Sequence, residues 1–242
     1  MKIIKSITFC LLCFLLLPQS STAQNWWKNG ITGEGPLVER EITMSNFSSV
    51  GLSISADVIL EHGASQKIVI KGQKNIIENI KTNVKNDAWE IDFKKNAAEF
   101  KNVTIYITLP ELKNVAVSGS GSLTGKSLFR ANKMKVAISG SGDISLNVDT
   151  KELYCKISGS GGMELKGKAT EQNIAISGSG DISAFDLASE TCNISISGSG
   201  DCEVKVNTKL KASIAGSGDV TYKGDPSVRS SIAGSGDISS AN

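Results

Sequence analysis

Histidine is almost missing from this chain, and aromatic residues, proline and long apolar runs are all scarce. The one histidine, His62, stands next to Gly63, which reads as a turn position rather than a general base, and no GxSxG, HExxH or Cys–His pairing accompanies it. With one imidazole, and with Cys155, Cys192 and Cys202 odd in number and lacking a CxxC spacing, neither a zinc site nor a disulfide framework is supported. These three cysteines read as buried thiols acting as small apolar residues. Charge of one sign is missing too. The chain carries 26 Lys and Arg against 24 Asp and Glu, and the excess is Lys2 and Lys5 at the extreme N-terminus. A chain otherwise neutral, with no basic patch standing out, is a poor match for nucleic acid.

Only one stretch is continuously apolar. Lys2 and Lys5 precede Ile7–Leu17, and Pro18 and the small residues Ser21, Thr22 and Ala23 follow. That is the anatomy of a secretory signal, residues 1–23, cleaved before Gln24. The run is shorter than a bilayer span, and no other segment is apolar and long enough to cross a membrane once the signal is removed.

What the chain does have is repetition. "ISGSGDIS" occurs at Ile138–Ser145 and Ile176–Ser183, and "IAGSGDIS" at Ile232–Ser239. SGSG or AGSG begins at Ser118, Ser139, Ser158, Ser177, Ser197, Ala215 and Ala233, in steps of 21, 19, 19, 20, 18 and 18 residues. Two positions before each first glycine stand Val117, Ile138, Ile157, Ile176, Ile196, Ile214 and Ile232. Four before stand Val115, Val136, Cys155, Ile174, Ile194, Ala212 and Ser230; four after, Leu123, Ile144, Met163, Ile182, Cys202, Val220 and Ile238. The columns between hold mostly Lys, Ser, Ala or Asp. Such alternation is a strand with one buried face.

Helical repeats need longer units and helix formers, whereas these units are rich in Gly, Ser and β-branched residues. The reading is an all-β parallel β-helix, a solenoid of about seven coils, each hydrogen-bonded to the next at about 4.8 Å with equivalent residues stacked. Gly-Ser-Gly then marks a corner. Its glycines permit positive φ and close approach of adjacent coils, and its serine satisfies corner backbone groups or stacks on the serine above. The phrase is scaffold rather than a ligand loop.

Residues 24–46, with Trp26, Trp27 and "NGITGEGP", read as a loosely ordered leader. The two tryptophans pack on the open end of the first coil or serve as a handle for a sugar or partner. Residues 47–242 read as one β-helix domain: an irregular β-rich part, 47–111, then the regular repeats, 112–242. In the first part Phe47–Leu60 alternates, "KIVIKG", "AWEIDF" and "VTIYITLP" are further strands, and Asn75–Lys81 is one short helix or a loop. After Ile238 no capping element is visible, so the last coil exposes backbone groups that invite end-to-end pairing with another chain, and a homo-oligomer through this coil is one reading.

Three positions after the first glycine stand Ser122, Asp143, Gly162, Asp181, Asp201, Asp219 and Asp237. A row of five carboxylates either binds Ca²⁺ as a ladder or bonds to the backbone of its own corner and points outward. A polysaccharide lyase or hydrolase would need acids converging in a groove, and a regular column does not supply that. No catalytic, cofactor-binding or metal-binding residue is assigned, and no cofactor is expected.

"FSSVGLSISADVILEHG", "KNVTIYITLPELKNVAVSGSGSL" and the serial "SGSGDI" units together resemble the bacterial family described as putative auto-transporter adhesin, head GIN domain. The likeness covers about residues 47–239 and implies a right-handed β-helix in an exported bacterial protein, with adhesion as the associated role. Taken together, the residues point to a non-enzymatic cell-envelope or surface protein, periplasmic, on the outer membrane or secreted, that presents an extended surface to a glycan or protein ligand. A carbohydrate-active β-helix enzyme is the alternative.

Overall fold

Each repeat closes one coil of a parallel β-solenoid of about seven turns, preceded by an irregular β part. The computed structural model describes residues 30–241; the expected signal, with Trp26 and Trp27, lies outside them. The long strands Ser122–Gly140, Asp143–Gly159, Gly162–Gly178, Asp181–Gly198 and Cys202–Gly216 follow one another with two or three residues between them. Each pairs in parallel with the next.

The register is the one the repeat implies. Leu52, Val117, Ile138, Ile157, Ile176, Ile196, Ile214 and Ile232 are successive partners, one per coil. From Leu52 to Ile214 every member of this stripe is buried. β-Branched side chains suit it because their stiff χ1 packs flat against the residue one coil away. Burying each isoleucine contributes about 2 kcal/mol relative to exposure, so the stripe is a continuous hydrophobic seam along the rod.

Coil length varies without disturbing that seam. The two extra residues of the 21-residue step fall between Thr124 and Leu128, and the extra one of the 20-residue step falls opposite the Glu164–Gly167 segment. In the 18-residue coil the adjustment falls between Ala184 and Ala188 and between Ser189 and Thr191. All lie between one Gly-Ser-Gly corner and the next, and the corner glycines stay in register.

At the corner the two glycines do different jobs. The first has positive φ in every copy, from +114° at Gly119 to +142° at Gly216. The second does not, but a Cβ on Gly161 would lie 2.2 Å from the carbonyl oxygen of Gly142 in the preceding coil. Positive φ and close approach were expected at both; positive φ is found only at the first, whereas close approach holds at both, a Cβ on Gly159 lying 2.3 Å from the Gly140 carbonyl oxygen. The serine differs from expectation too. Its backbone N–H, not its hydroxyl, ties the corner down: Ser160 donates to Gly140 O at 2.8 Å, and Ser141, Ser179, Ser199, Ser217 and Ser235 repeat the bond.

In the first part, chain order and spatial order part company. Ser49–Leu52 lies between Asn114–Gly119 and Ala88–Ile91, and Asp57–His62 between Ser122–Gly125 and Thr104–Leu109, all in parallel. The coil that comes second along the sequence is therefore outermost. It is closed off by antiparallel strands: Lys67–Gln73 on Thr104–Leu109, then Leu37–Glu41 on Lys67–Gln73. The ambiguous segment is a helix, Lys74–Asn79, which buries Ile76 and Ile77 at this end, with Ile80 buried just beyond it. Trp89 is also buried here, its Nε1 donating to Lys81 O and its ring 5.6 Å from Phe47.

The leader was expected to be loose, yet Ile31–Thr32 pairs with Ala97–Glu99 and Leu37–Glu41 forms the outer edge strand. The reason is geometric and apolar: a strand edge is available, and Ile31, Val38, Ile42 and Met44 pack against the core. Lys67–Gln73 has a free edge once it pairs with Thr104–Leu109, and Lys67 and Lys71 meet Glu41 and Glu39 across it. One cluster of buried apolar residues runs from Phe47 to Val220, with no break near residue 110.

Candidate functional site

A solenoid repeats its outward positions as faithfully as its inward ones, so each flank displays parallel columns of side chains. Three flanks differ in chemistry.

The first carries the aspartates. Asp57, Ser122, Asp143, Gly162 and Asp181 are successive partners. Here the Oδ1 of Asp143 accepts the N–H of Gly162, that of Asp181 the N–H of Asp201, that of Asp201 the N–H of Asp219, and that of Asp219 the N–H of Asp237, at 2.8–3.1 Å. Of the two readings, backbone bonding is the one seen, with one amendment: each carboxylate ties to the next coil, not to its own corner. At the start of the row, the hydroxyl of Ser122 and the amide of Asn102 donate to Asp57 and hold its carboxyl below the ordinary carboxylate range. Among the described residues no group of three or more His, Cys, Asp or Glu is arranged to hold a metal ion.

The second flank is the far corner. Asp149 faces both Arg130 and Lys168, at 3.7 and 3.4 Å, and Glu190 accepts from Asn207 and Thr208 one coil on. Asp149 is thus paired with two cations and Glu190 with two neutral donors.

The third flank holds a trough of about 640 Å³ spanning five coils. One wall is the column Lys135, Tyr154, Asn173, Asn193 and Lys211; the neighbouring column is Ala137, Lys156, Ala175, Ser195 and Ser213. Alternation places both columns outward while Val136, Cys155, Ile174 and Ile194 face in beneath them. Because most of the second column is Ala or Ser, the surface between the columns is low and apolar, with Lys156 rising from it.

The wall is fixed by bonds within and between coils. Tyr154 donates its hydroxyl to Glu152, and Lys133 pairs with the same carboxylate while lying 4.4 Å from the Tyr154 ring centroid. Lys133 and the Tyr154 hydroxyl hold the Glu152 carboxyl below its ordinary range, and Glu152 raises Lys133. Asn193 donates to Asn173, which donates to Glu171. By contrast Lys135, Lys156 and Lys211 have no ion-pair partner among the described residues. An aromatic ring, paired amides and three uncompensated cations along an apolar strip can stack on, hydrogen-bond to and attract a long anionic or amphiphilic ligand.

Sequence reasoning missed this trough. The signal was present, because Lys135, Tyr154, Asn173, Asn193 and Lys211 all stand five positions before the first glycine of their repeat. His62 closes the strand Asp57–His62 at an exposed position, apart from the trough. Cys155, Cys192 and Cys202 are free and buried, as expected, and burial pushes the Cys155 thiol up to about 12.

Residues 46–226 match the model of the family described as "Putative auto-transporter adhesin, head GIN domain". A putative adhesin from Bacteroides fragilis is 23% identical with a TM-score of 0.81, covering 87% of this chain and 100% of its own. A putative adhesin from Parabacteroides merdae is 23% identical, TM-score 0.74, covering 88% and 100%. A protein from Parabacteroides distasonis described as a putative lipid binding protein is 27% identical, with the same TM-score of 0.74 and the same coverages. No curated protein matches the sequence.

Proposed function

This chain belongs to the auto-transporter adhesin, head GIN domain family, and from that premise we propose that it is an exported, non-enzymatic cell-envelope or surface protein that binds an extended ligand along one flank of its solenoid. The observation that carries the reading is the trough with Tyr154, Asn173 and Asn193 fixed in place and Lys135, Lys156 and Lys211 uncompensated. Regular coil spacing of about 4.8 Å repeats the contacts along the rod, which suits a polymer or long chain better than a compact substrate. Asp143, Asp181, Asp201 and Asp219 are each tied to a backbone amide of the next coil, which engages them in scaffold. Export rests on the signal-like residues 1–23 together with the family.

The test is a glycan array and a pulldown from the native cell surface, run with the wild type, Tyr154→Ala and the triple variant Lys135→Ala, Lys156→Ala, Lys211→Ala. The described relative named for lipid adds anionic and neutral vesicles to the panel. Retention of an anionic ligand by the wild type, with at least a tenfold loss in the triple variant and weakening by salt, supports the reading. Undiminished binding by the triple variant, or turnover of the bound polymer, overturns it.

A further inference from the structure

The two ends of the rod are finished differently. At the N-terminal end the edge strand is Leu37–Glu41, "LVERE", in which Glu39, Arg40 and Glu41 occupy three of five positions and two of them are ion-paired. Charged edge strands discourage further pairing. At the other end the last coil presents two edge strands, the short Ile238–Ser240 and the longer Ser227–Gly234, "SVRSSIAG", whose only charge is Arg229. The longer strand pairs along one side with Lys209–Gly216, and among the described residues no strand lies on its other side. Val228 and Ile232 continue columns whose preceding members, Leu210 and Ile214, are buried, but are themselves 37% and 42% exposed.

From this we infer that the protein forms a tail-to-tail dimer in which Ser227–Gly234 pairs antiparallel with the same strand of a second copy, about a twofold axis at Ser230.

The backbone selects the residues involved. Lys135 donates its N–H back to the preceding coil, at Lys113 O, and Arg229 is its equivalent three coils beyond Asn173. Alternate residues point the opposite way. Val228, Ser230 and Ile232 therefore aim their N–H and C=O groups at the open edge. With the axis at Ser230, these three are the residues that exchange both hydrogen bonds with the partner strand: Ser230 with Ser230, and Val228 with Ile232 in both directions. All three are on the inward face, so the pairing also sets Val228 against Ile232 twice and joins the two cores. Arg229 meets Ser231, and no like charges face each other. Shifting the axis to Ser231 would oppose Val228 with Gly234 and lose the apolar match.

A head-to-tail filament is disfavoured by the charged, paired strand and helix at the far end, which leaves a closed twofold dimer. A junction one coil in cross-section sits at the small end of stable interfaces, so the dimer should dissociate on dilution.

Sedimentation velocity of the purified protein from micromolar to submillimolar concentration tests this. The expected result is a doubling of mass at the upper end. Ser230→Pro removes an N–H aimed at the open edge while sparing the bonds to Lys209–Gly216, so it should remain folded by circular dichroism and stay monomeric. Ser230→Cys should form a disulfide-linked dimer on mild oxidation, because paired Cα atoms lie about 5.5 Å apart. Ser231→Cys, displaced from its own copy along the strand, should not. A wild type monomeric throughout, growth beyond two copies, a Ser230→Pro variant that still dimerises, or a Ser230→Cys dimer that does not cross-link would each overturn the inference.

Discussion

The Oδ1 of Asp201 accepts the backbone N–H of Asp219 at 2.8 Å, one full coil further along the chain. The residue that makes the repeat recognisable as "SGSGD" thus clips its coil to the next with its side chain, beside the backbone bond that the serine N–H makes at the corner. Its neighbours in the row do the same, so like charges stack only as closely as their backbone bonds hold them.

Asp201→Ala should lower stability by about 1 kcal/mol through loss of that bond. Asp201→Asn keeps an acceptor in place and removes one charge from the row, and should match or exceed the wild type at low salt. Urea unfolding of the three proteins at two salt concentrations reads both effects; an alanine variant as stable as the asparagine one would contradict the clip.

Gly161→Ala should cost more than about 2 kcal/mol, because its Cβ would meet the Gly142 carbonyl, a backbone atom that cannot swing aside. Gly159→Ala should cost at least as much, because its Cβ would lie 2.3 Å from the Gly140 carbonyl oxygen and its φ is +130° as well. Gly35→Ala, at positive φ but with nothing near its Cβ, separates the two causes and should cost about 1 kcal/mol. Thermal unfolding ranks the three.

Gln172 is fully buried on the inward face between Leu153 and Cys192, and neither its Nε2 nor its Oε1 has a hydrogen-bond partner among the described residues. Replacing it with leucine should stabilise the protein by about 1–2 kcal/mol, since an unpaired buried amide is removed and the column becomes apolar. A destabilised Gln172→Leu in denaturant titration would show that the amide is satisfied in solution.

Acid should weaken the first part of the rod. Ser122 and Asn102 hold the Asp57 carboxyl low, Ser48 does so for Asp87, and Lys81 for Asp92. A carboxyl depressed in the folded state adds stability that is fully present above its unfolded value, about 3.9, and is lost as pH falls through the folded value. The melting temperature should therefore decline below about pH 4, and less steeply in Asp57→Asn with Asp92→Asn. Parallel pH profiles for variant and wild type would exclude these contacts as the cause.

Burial keeps the thiols protonated as well as covered, with Cys155 pushed up to about 12. Native protein treated with iodoacetamide near neutral pH should leave Cys155, Cys192 and Cys202 unmodified in peptide-resolved mass spectrometry, and denatured protein should label all three.

The inward columns, the corner glycines and the parallel register from Val117 to Ile232 were legible before any coordinates, because a solenoid converts a sequence interval directly into a position in space. Coil length is local information, and where the interval drifts from 21 to 18 the seam fixes which corner absorbs it. The trough at Tyr154 was legible in principle, at a constant offset from each glycine, but outward columns carry no hydrophobic signal to draw the eye.

Other features were not in the sequence at all. That Ser49–Leu52 inserts between Ala88–Ile91 and Asn114–Gly119, and that Leu37–Glu41 docks on Lys67–Gln73, depends on pairings between segments of irregular spacing. Strand alternation tells which face is buried but not which edge is met. Periodicity determined the rod; only the three-dimensional pairing of edges decided how its first end is sealed, and that Ser227–Gly234 lies along Lys209–Gly216 at the other.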